Sequence, residues 1–268
     1  IGWIEMNTPP KIMVDTGIVS IGWADPACWT EIDTNGPLAN KLLVYRIKER
    51  NTPRGGVSLE NLIAVQAIGR AARNGDILFY EYPELAWESW YGLQSWTPNL
   101  SPLYAFHSVR WHSVPSPLER SKFFQSDNWG KGDNVELFMD FLLKNDPRQL
   151  NDYVCRSDKF SDFERQSIKS LSLFQLMCDD KVIKRKRARD CYHLWACECS
   201  GLDFFLTTDS KLLESYSTAI KDKKIALSCK VVMPRGLVEL LHISMEGISI
   251  PEPGKMFLMS GEEYIPKG

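Results

Sequence analysis

No run of about 18 apolar residues occurs in this chain of 268 residues, so a membrane-spanning helix is not expected. No secretory-leader pattern appears either. Net charge is almost absent: 32 Lys and Arg against 34 Asp and Glu leave −2. The overall charge therefore argues neither for nor against a nucleic-acid partner, and any electrostatic case has to be local. Internal repeats, low-complexity tracts and Gly/Ser/Pro linkers are missing. The seven cysteines (Cys28, Cys155, Cys178, Cys191, Cys197, Cys199, Cys229) are odd in number, scattered, and contain no CxxC pair. That excludes a disulfide framework and the usual structural zinc spacing as organising devices. The first strand is not followed by a glycine-rich phosphate loop, which weakens any reading as a small-molecule enzyme of a doubly wound fold. The expectation is a reduced, soluble, cytoplasmic protein without a membrane partner.

What the chain does contain is enough apolar material for a core: 44% hydrophobic against 25% charged residues. Lys11-Ile12-Met13-Val14 reads as a short buried strand stopping at Asp15, with Thr16-Gly17 after it. Residues 39–49 (ANKLLVYRIKE) show helical spacing, and Ser58 opens a second helix running through Ala72, with Gly75 past its end. Ile77–Tyr82 is the next strand. Pro83 then starts a helix carrying Glu84 and Glu88 on one face, four residues apart. Gln94–Asp133 is rich in Trp, Pro, Ser, Gly and His, too aromatic for disorder, and includes Arg110-Trp111-His112 and Asn128–Gly132. Helices are expected over residues 134–144 and 162–177. The scarcity of tight hairpin signals argues for a parallel sheet covered on both faces.

The most informative stretch is residues 189–213, RDCYHLWACECSGLDFFLTTDSKLL. Asp190 heads an apolar helix that Ser200-Gly201 closes. Phe204–Thr207 is a short strand, and Asp209 lies just past its end. A short helix over residues 215–221, a strand at 231–233 and a helix over residues 236–243 follow, then an irregular tail over residues 244–268. Asp15, Glu88, Asp190 and Asp209 thus fall at comparable places. In a parallel sheet all four can meet at the carboxyl edge, where open α/β sheets bind ligands. Carboxylates so close require a cation, and oxygen-only ligation suits Mg²⁺ or Mn²⁺ rather than zinc. The same acids also read as caps and turns that never meet.

The segments KIMVDTG, FYEYPELAWES and ARDCYHLWACECSGLDFFLTTDSKLL resemble the PIN domain family of metal-dependent nucleases. The resemblance implies a three-layer α/β/α sandwich around a central parallel sheet. It implies metal ligation by Asp15, Glu88, Asp190 and Asp209, with Glu84 as the alternative to Glu88. It also implies supporting roles for the hydroxyls of Thr16 and Thr207. It covers roughly residues 10–90 and 185–243. The expected unit is a single domain over residues 7–243, interrupted by a loop-rich and helical insertion at about 94–181 that shapes substrate choice, forms a lid or makes a homo-oligomer contact.

Residues 181–189 (KVIKRKRAR) place six basic side chains directly before Asp190. Cations at a helix start oppose its dipole, so phosphate contact explains them better than helix stability. The alternative is a solvated loop. Lys186, Arg187, Arg189 and Lys211 are the candidates to hold a nucleic-acid backbone. His193 and Cys197 stand four apart on the helix, but two ligands do not make a zinc site, and the cysteines are expected in the core. His107 and His112 are read as stacking on a base or packing, with packing favoured. The functional expectation is a Mg²⁺- or Mn²⁺-dependent nuclease, an endoribonuclease by resemblance, with single-stranded DNA as the alternative polymer. An attacking water would be activated at the metal. The rival is a catalytically inactive PIN-like module that binds RNA or serves as a scaffold.

Overall fold

In β1 (Lys11–Val14), Ile12 and Val14 bury on one side and Met13 on the other, and this alternation sets the architecture. The computed structural model describes residues 8–21, 28–33, 41–46, 58–92, 104–124, 133–250, 252, 254–258, 260 and 262–265. Beside β1 lie β4 (Leu78–Glu81) and β6 (Phe204–Leu206), with β5 (Trp111–Ser113) and β7 (Lys230–Val232) outside them. The order is β5-β4-β1-β6-β7, and every pairing is parallel. Phe204 and Leu206 follow Ile12 and Val14 to one face; Phe205 follows Met13 to the other.

Helices cover both faces. On the Ile12 side lie α1 (Thr16–Ile21), α2 (Leu59–Asn74) and α10 (Pro234–Leu240), whose buried residues include Ile18, Ile68 and Leu237. On the Met13 side lie α3 (Pro83–Gly92), α4 (Asp133–Lys144), α5 (Pro147–Arg156), α6 (Asp162–Ser167), α7 (Leu171–Met177), α8 (Ala188–Cys199) and α9 (Ser210–Lys221). Leu85, Phe138, Val154, Phe174, Trp195 and Tyr216 from these helices share the core on that side. The expected α/β class with a central parallel sheet flanked by helices is therefore present. Ser58 caps α2 by accepting from the Asn61 N–H at 3.3 Å, and Gly75 ends it at φ 82°, a left-handed conformation that a Cβ disfavours.

Several elements differ from the sequence reading. Lys41–Arg46, read within a helix, is strand β3, paired antiparallel with β2 (Cys28–Asp33) over six residue pairs. Val44 and Tyr45 favour strands, and a complete antiparallel partner outweighs a short apolar periodicity. The flanking residues 39–40 and 47–49 lie outside those described. Within the tail read as irregular, β8 (Met256–Phe257) pairs antiparallel with β3. The helix expected over residues 162–177 is broken into α6 and α7 by a 3-10 turn at Ile168–Ser170, and α5 was not foreseen. Helix α9 starts at Ser210 rather than 215, because the Asp209 carboxylate caps it.

Parts of the segment read as an insertion join the main sheet and its two cores. β5 extends the main sheet beyond β4, Tyr104–Phe106 packs beneath α2, and α4, α5 and α7 supply much of the Met13-side core. Residues 94–103 and 125–132, with the Asn128–Gly132 stretch, lie outside the described residues. His112 packs: its ring stacks on Tyr80 at a centroid distance of 5.1 Å. Cys178, Cys191, Cys197 and Cys229 are buried, Cys199 is partly buried and Cys155 is exposed. Among the described residues, no helix is long and apolar enough to cross a membrane.

Candidate metal and nucleic-acid site

The sheet register levels the strand ends. Val14 pairs with Leu206, and Leu206 with Val232, so Asp15 and Thr207 leave the sheet side by side. The Asp15 N–H donates to the Leu206 carbonyl at 3.0 Å, and the Thr207 N–H to the Val232 carbonyl at 3.0 Å. From there the chain turns into α1 after β1, into α3 after β4, and into α9 after β6.

Thr207 is fully buried and ties two acids together. Its hydroxyl donates to Asp15 Oδ2 at 2.6 Å and accepts from the Asp209 N–H at 3.1 Å. The Thr16 hydroxyl lies 3.4 Å from Asp15 Oδ1, a long contact. Asp209 caps α9: its Oδ1 accepts from the N–H groups of Lys211 and Leu212 at 2.8 and 2.9 Å. The cap reading thus holds for one of its oxygens. The other, Oδ2, faces Arg187 at 2.7 Å, and the same Arg187 Nη1 donates to Asp190 Oδ2 at 2.9 Å. Arg187 therefore bridges Asp190, in the first turn of α8, to Asp209 at the head of α9.

Glu88 reaches this edge from α3. Its carboxylate lies 3.6 Å from His193 Nε2 and 3.5 Å from Arg189 Nε. His193, one turn beyond Asp190 on α8, is buried and shares a 2.5 Å hydrogen bond between Nδ1 and the Tyr82 hydroxyl. Glu84 goes elsewhere: it is buried beside Arg120, with Nε 3.3 Å from its Oε1. Of the two glutamates, Glu88 is the one whose partners belong to the acidic edge.

Electrostatics follow from these contacts. Burial opposes the Asp209 charge, but the Arg187 bond and the helix N–H groups outweigh it and hold the carboxyl below its ordinary value. For Asp190 burial wins, and its carboxyl is pushed up despite His193 and Arg187. Burial also opposes the Glu88 charge, yet the His193 hydrogen bond and the charges of His193 and Arg189 bring it below the ordinary range. Burial favours a neutral His193; the hydrogen bond and charge of Glu88, with Asp15 and Asp190 beyond, raise it above the ordinary imidazole value.

The basic stretch is divided. Arg185 pairs with Asp140 on α4 at 2.8 Å. Arg187 turns into the acids and is only 12% exposed, while Arg189 leans on Glu88. Lys186 and Lys211 are exposed. The residues not anticipated as part of this edge are His193 and Tyr82. The signal for His193 was its position three residues after Asp190 on one helix, which sets both on one face.

By chemistry the donor set suits Mg²⁺ or Mn²⁺: carboxylates around a hydroxyl-braced strand end, with no thiolate among them. Among the described residues, no three acidic, histidine or cysteine side chains converge on one point as they stand. A guanidinium lies between Asp190 and Asp209, so a divalent ion would require Arg187 to move. No family model matches the chain, and no curated protein or solved structure matches it either.

Proposed function

We propose that the chain is a PIN-like, Mg²⁺- or Mn²⁺-dependent nuclease, with RNA as its preferred substrate. The observation that carries this reading is the hydrogen-bonded linkage of Asp15, Asp190 and Asp209 beyond the carboxyl ends of a parallel sheet, with Glu88 beside His193 and Arg189. Thr207 and Arg187 link three of these acids through hydrogen bonds. A divalent ion held there would supply an activated water and neutralise charge at the phosphorus. The residues of the chain do the rest. Thr207 fixes the orientation of Asp15. His193, itself held by Tyr82, orients Glu88. Lys186, Arg189 and Lys211 sit around the same edge to contact a phosphate backbone.

The test is cleavage of a mixed pool of labelled RNA and single-stranded DNA with Mn²⁺, Mg²⁺ or EDTA, comparing wild type with Asp209→Asn. Asparagine preserves the α9 cap, since it is as good an N-cap as aspartate, so the fold is kept while a charge is removed. Metal-dependent cutting lost in the variant supports the nuclease and identifies the polymer. The second reading, a non-catalytic RNA-binding or scaffold module, is favoured by the Arg187 guanidinium seated between two of the acids. Tight RNA binding with no cutting under any metal would decide for it.

A further inference from the structure

One nitrogen, Arg187 Nη1, is shared by two carboxylates, at 2.9 Å from Asp190 Oδ2 and 2.7 Å from Asp209 Oδ2. Both oxygens thus point at one location, and a positive charge already fills it. Of the remaining oxygens, Asp209 Oδ1 is committed to the α9 cap. Asp209 Oδ2 is therefore the oxygen that a metal would have to take, and it is the one that Arg187 occupies. The segment delivering the guanidinium is also unusual. Lys184 adopts φ 94° and ψ 139°, a backbone region that non-glycine residues avoid, immediately before the 3-10 turn Arg185–Arg187. Ile183, fully buried, anchors the chain on one side of this turn, and α8 begins on the other. Arg187 itself supplies no side-chain cap to α8; its side chain is spent on the acids. Such strain persists only where the surroundings hold it, and here the surroundings include the double ion pair.

We infer that Arg187 is the resident counter-ion of the Asp190–Asp209 pair, and that it and a divalent cation are alternative occupants of one position. This rests on the reading of these acids as metal ligands. The two cannot share the place: a guanidinium within hydrogen-bonding distance of both oxygens excludes an ion that would bind them at about 2.0–2.1 Å, and like charges repel. With a divalent ion bound, the guanidinium would turn to the solvent side, where the side chains of Lys186 and Arg189 are exposed. There it meets a phosphate backbone. Metal and polyanion consequently help each other bind, because each favours the state with Arg187 turned out, and that coupling is reciprocal. Metal-free, the pair draws its counter-charge from within the chain.

The experiment is a Mn²⁺ titration of the whole chain followed by electron paramagnetic resonance of free Mn²⁺, with wild type, Arg187→Gln and Asp209→Asn. Arg187→Gln is expected to bind Mn²⁺ about tenfold more tightly than wild type, equivalent to ~1.4 kcal/mol. In EDTA its melting midpoint should fall, as the two carboxylates lose their partner, and Mn²⁺ should restore it. Equal or weaker Mn²⁺ binding by Arg187→Gln, with binding abolished in Asp209→Asn, overturns the exchange while leaving the metal site standing. If neither wild type nor Arg187→Gln binds Mn²⁺, the metal reading falls and the exchange falls with it. A second measurement needs only the wild-type protein. The Arg187 Nη1 proton signals should be protected from solvent exchange in EDTA and lose that protection as Mg²⁺ saturates. Protection that survives saturating Mg²⁺ refutes the exchange.

Discussion

Replacing Thr207 with valine removes one hydroxyl and nothing else of consequence, since the two side chains have nearly the same shape. The hydroxyl donates to a carboxylate, Asp15 Oδ2, and accepts the backbone N–H of Asp209. A hydrogen bond to a charged group is worth about 1.5–3 kcal/mol and a neutral one about 1 kcal/mol. Asp15 is partly exposed, so water can rehydrate its carboxylate in the variant and the lower end of the first figure applies. The sum is about 2–3 kcal/mol of lost stability, with no cavity contribution. Thr207→Ser keeps both bonds and loses one buried methyl, which costs about 1 kcal/mol. Urea denaturation of the three proteins at pH 7 and in EDTA measures the difference, provided the denaturant slope is unchanged. A valine variant within about 0.5 kcal/mol of wild type would refute the role assigned to the hydroxyl, and so would a serine variant as unstable as valine. The same substitution should also weaken Mn²⁺ binding, because Asp15 loses the group that orients it.

Glu88→Gln should weaken Mn²⁺ binding at least tenfold, whereas Glu84→Gln should leave it within about twofold and instead lower stability through the loss of Arg120 pairing; a Mn²⁺ titration with parallel urea melts separates the two glutamates. Glu164, buried on α6, accepts from the N–H groups of Ser161 and Glu119 and from Lys122 Nζ. Burial works against its charge, but the Lys122 bond and those N–H groups hold the carboxyl below its ordinary value. The stability from this group is therefore complete above the unfolded glutamate pKa of ~4.3 and is lost as pH falls through the lower folded value. Urea midpoints from pH 7 to pH 3 should show a shallower acid decline for Glu164→Gln than for wild type; parallel declines would contradict the assignment. Gly69→Ala places a Cβ 2.0 Å from the Ala105 carbonyl oxygen, where backbone has to shift, so it should destabilise by about 1–3 kcal/mol or more in thermal melts.

Local signals were legible where a residue type has one physical role. The four-residue strand that stops before Asp15, the Ser58 start and Gly75 stop of α2, and the Pro83 start of α3 all follow from short-range sterics and capping, which sequence displays directly. The parallel sheet was legible too, from alternating strands and helices without hairpin turns. Lys41–Arg46 was not: six residues with apolar positions on both periods do not choose between helix and strand, and the choice came from pairing with Cys28–Asp33. Trp111–Ser113 is only three residues long and lies in a loop-rich stretch, so its place on the sheet edge depended on β4 being there to pair with it.

The acidic edge divides in the same way. Sequence by itself determined that Asp15 and Asp209 follow strands, that Asp190 opens a helix, and that Glu84 and Glu88 share a helical face. Each of these depends on neighbours within a few residues. Which glutamate lies beside His193 and Arg189, that Thr207 joins Asp15 to Asp209, and that Arg187 rather than solvent meets Asp190 and Asp209 were decided by tertiary structure alone. The reason is physical. Side chains 192 positions apart in the chain, such as Asp15 and Thr207, meet only because parallel register stacks β1 beside β6. Six basic residues within nine carry no local instruction about which one turns inward; burial and the two waiting carboxylates selected Arg187.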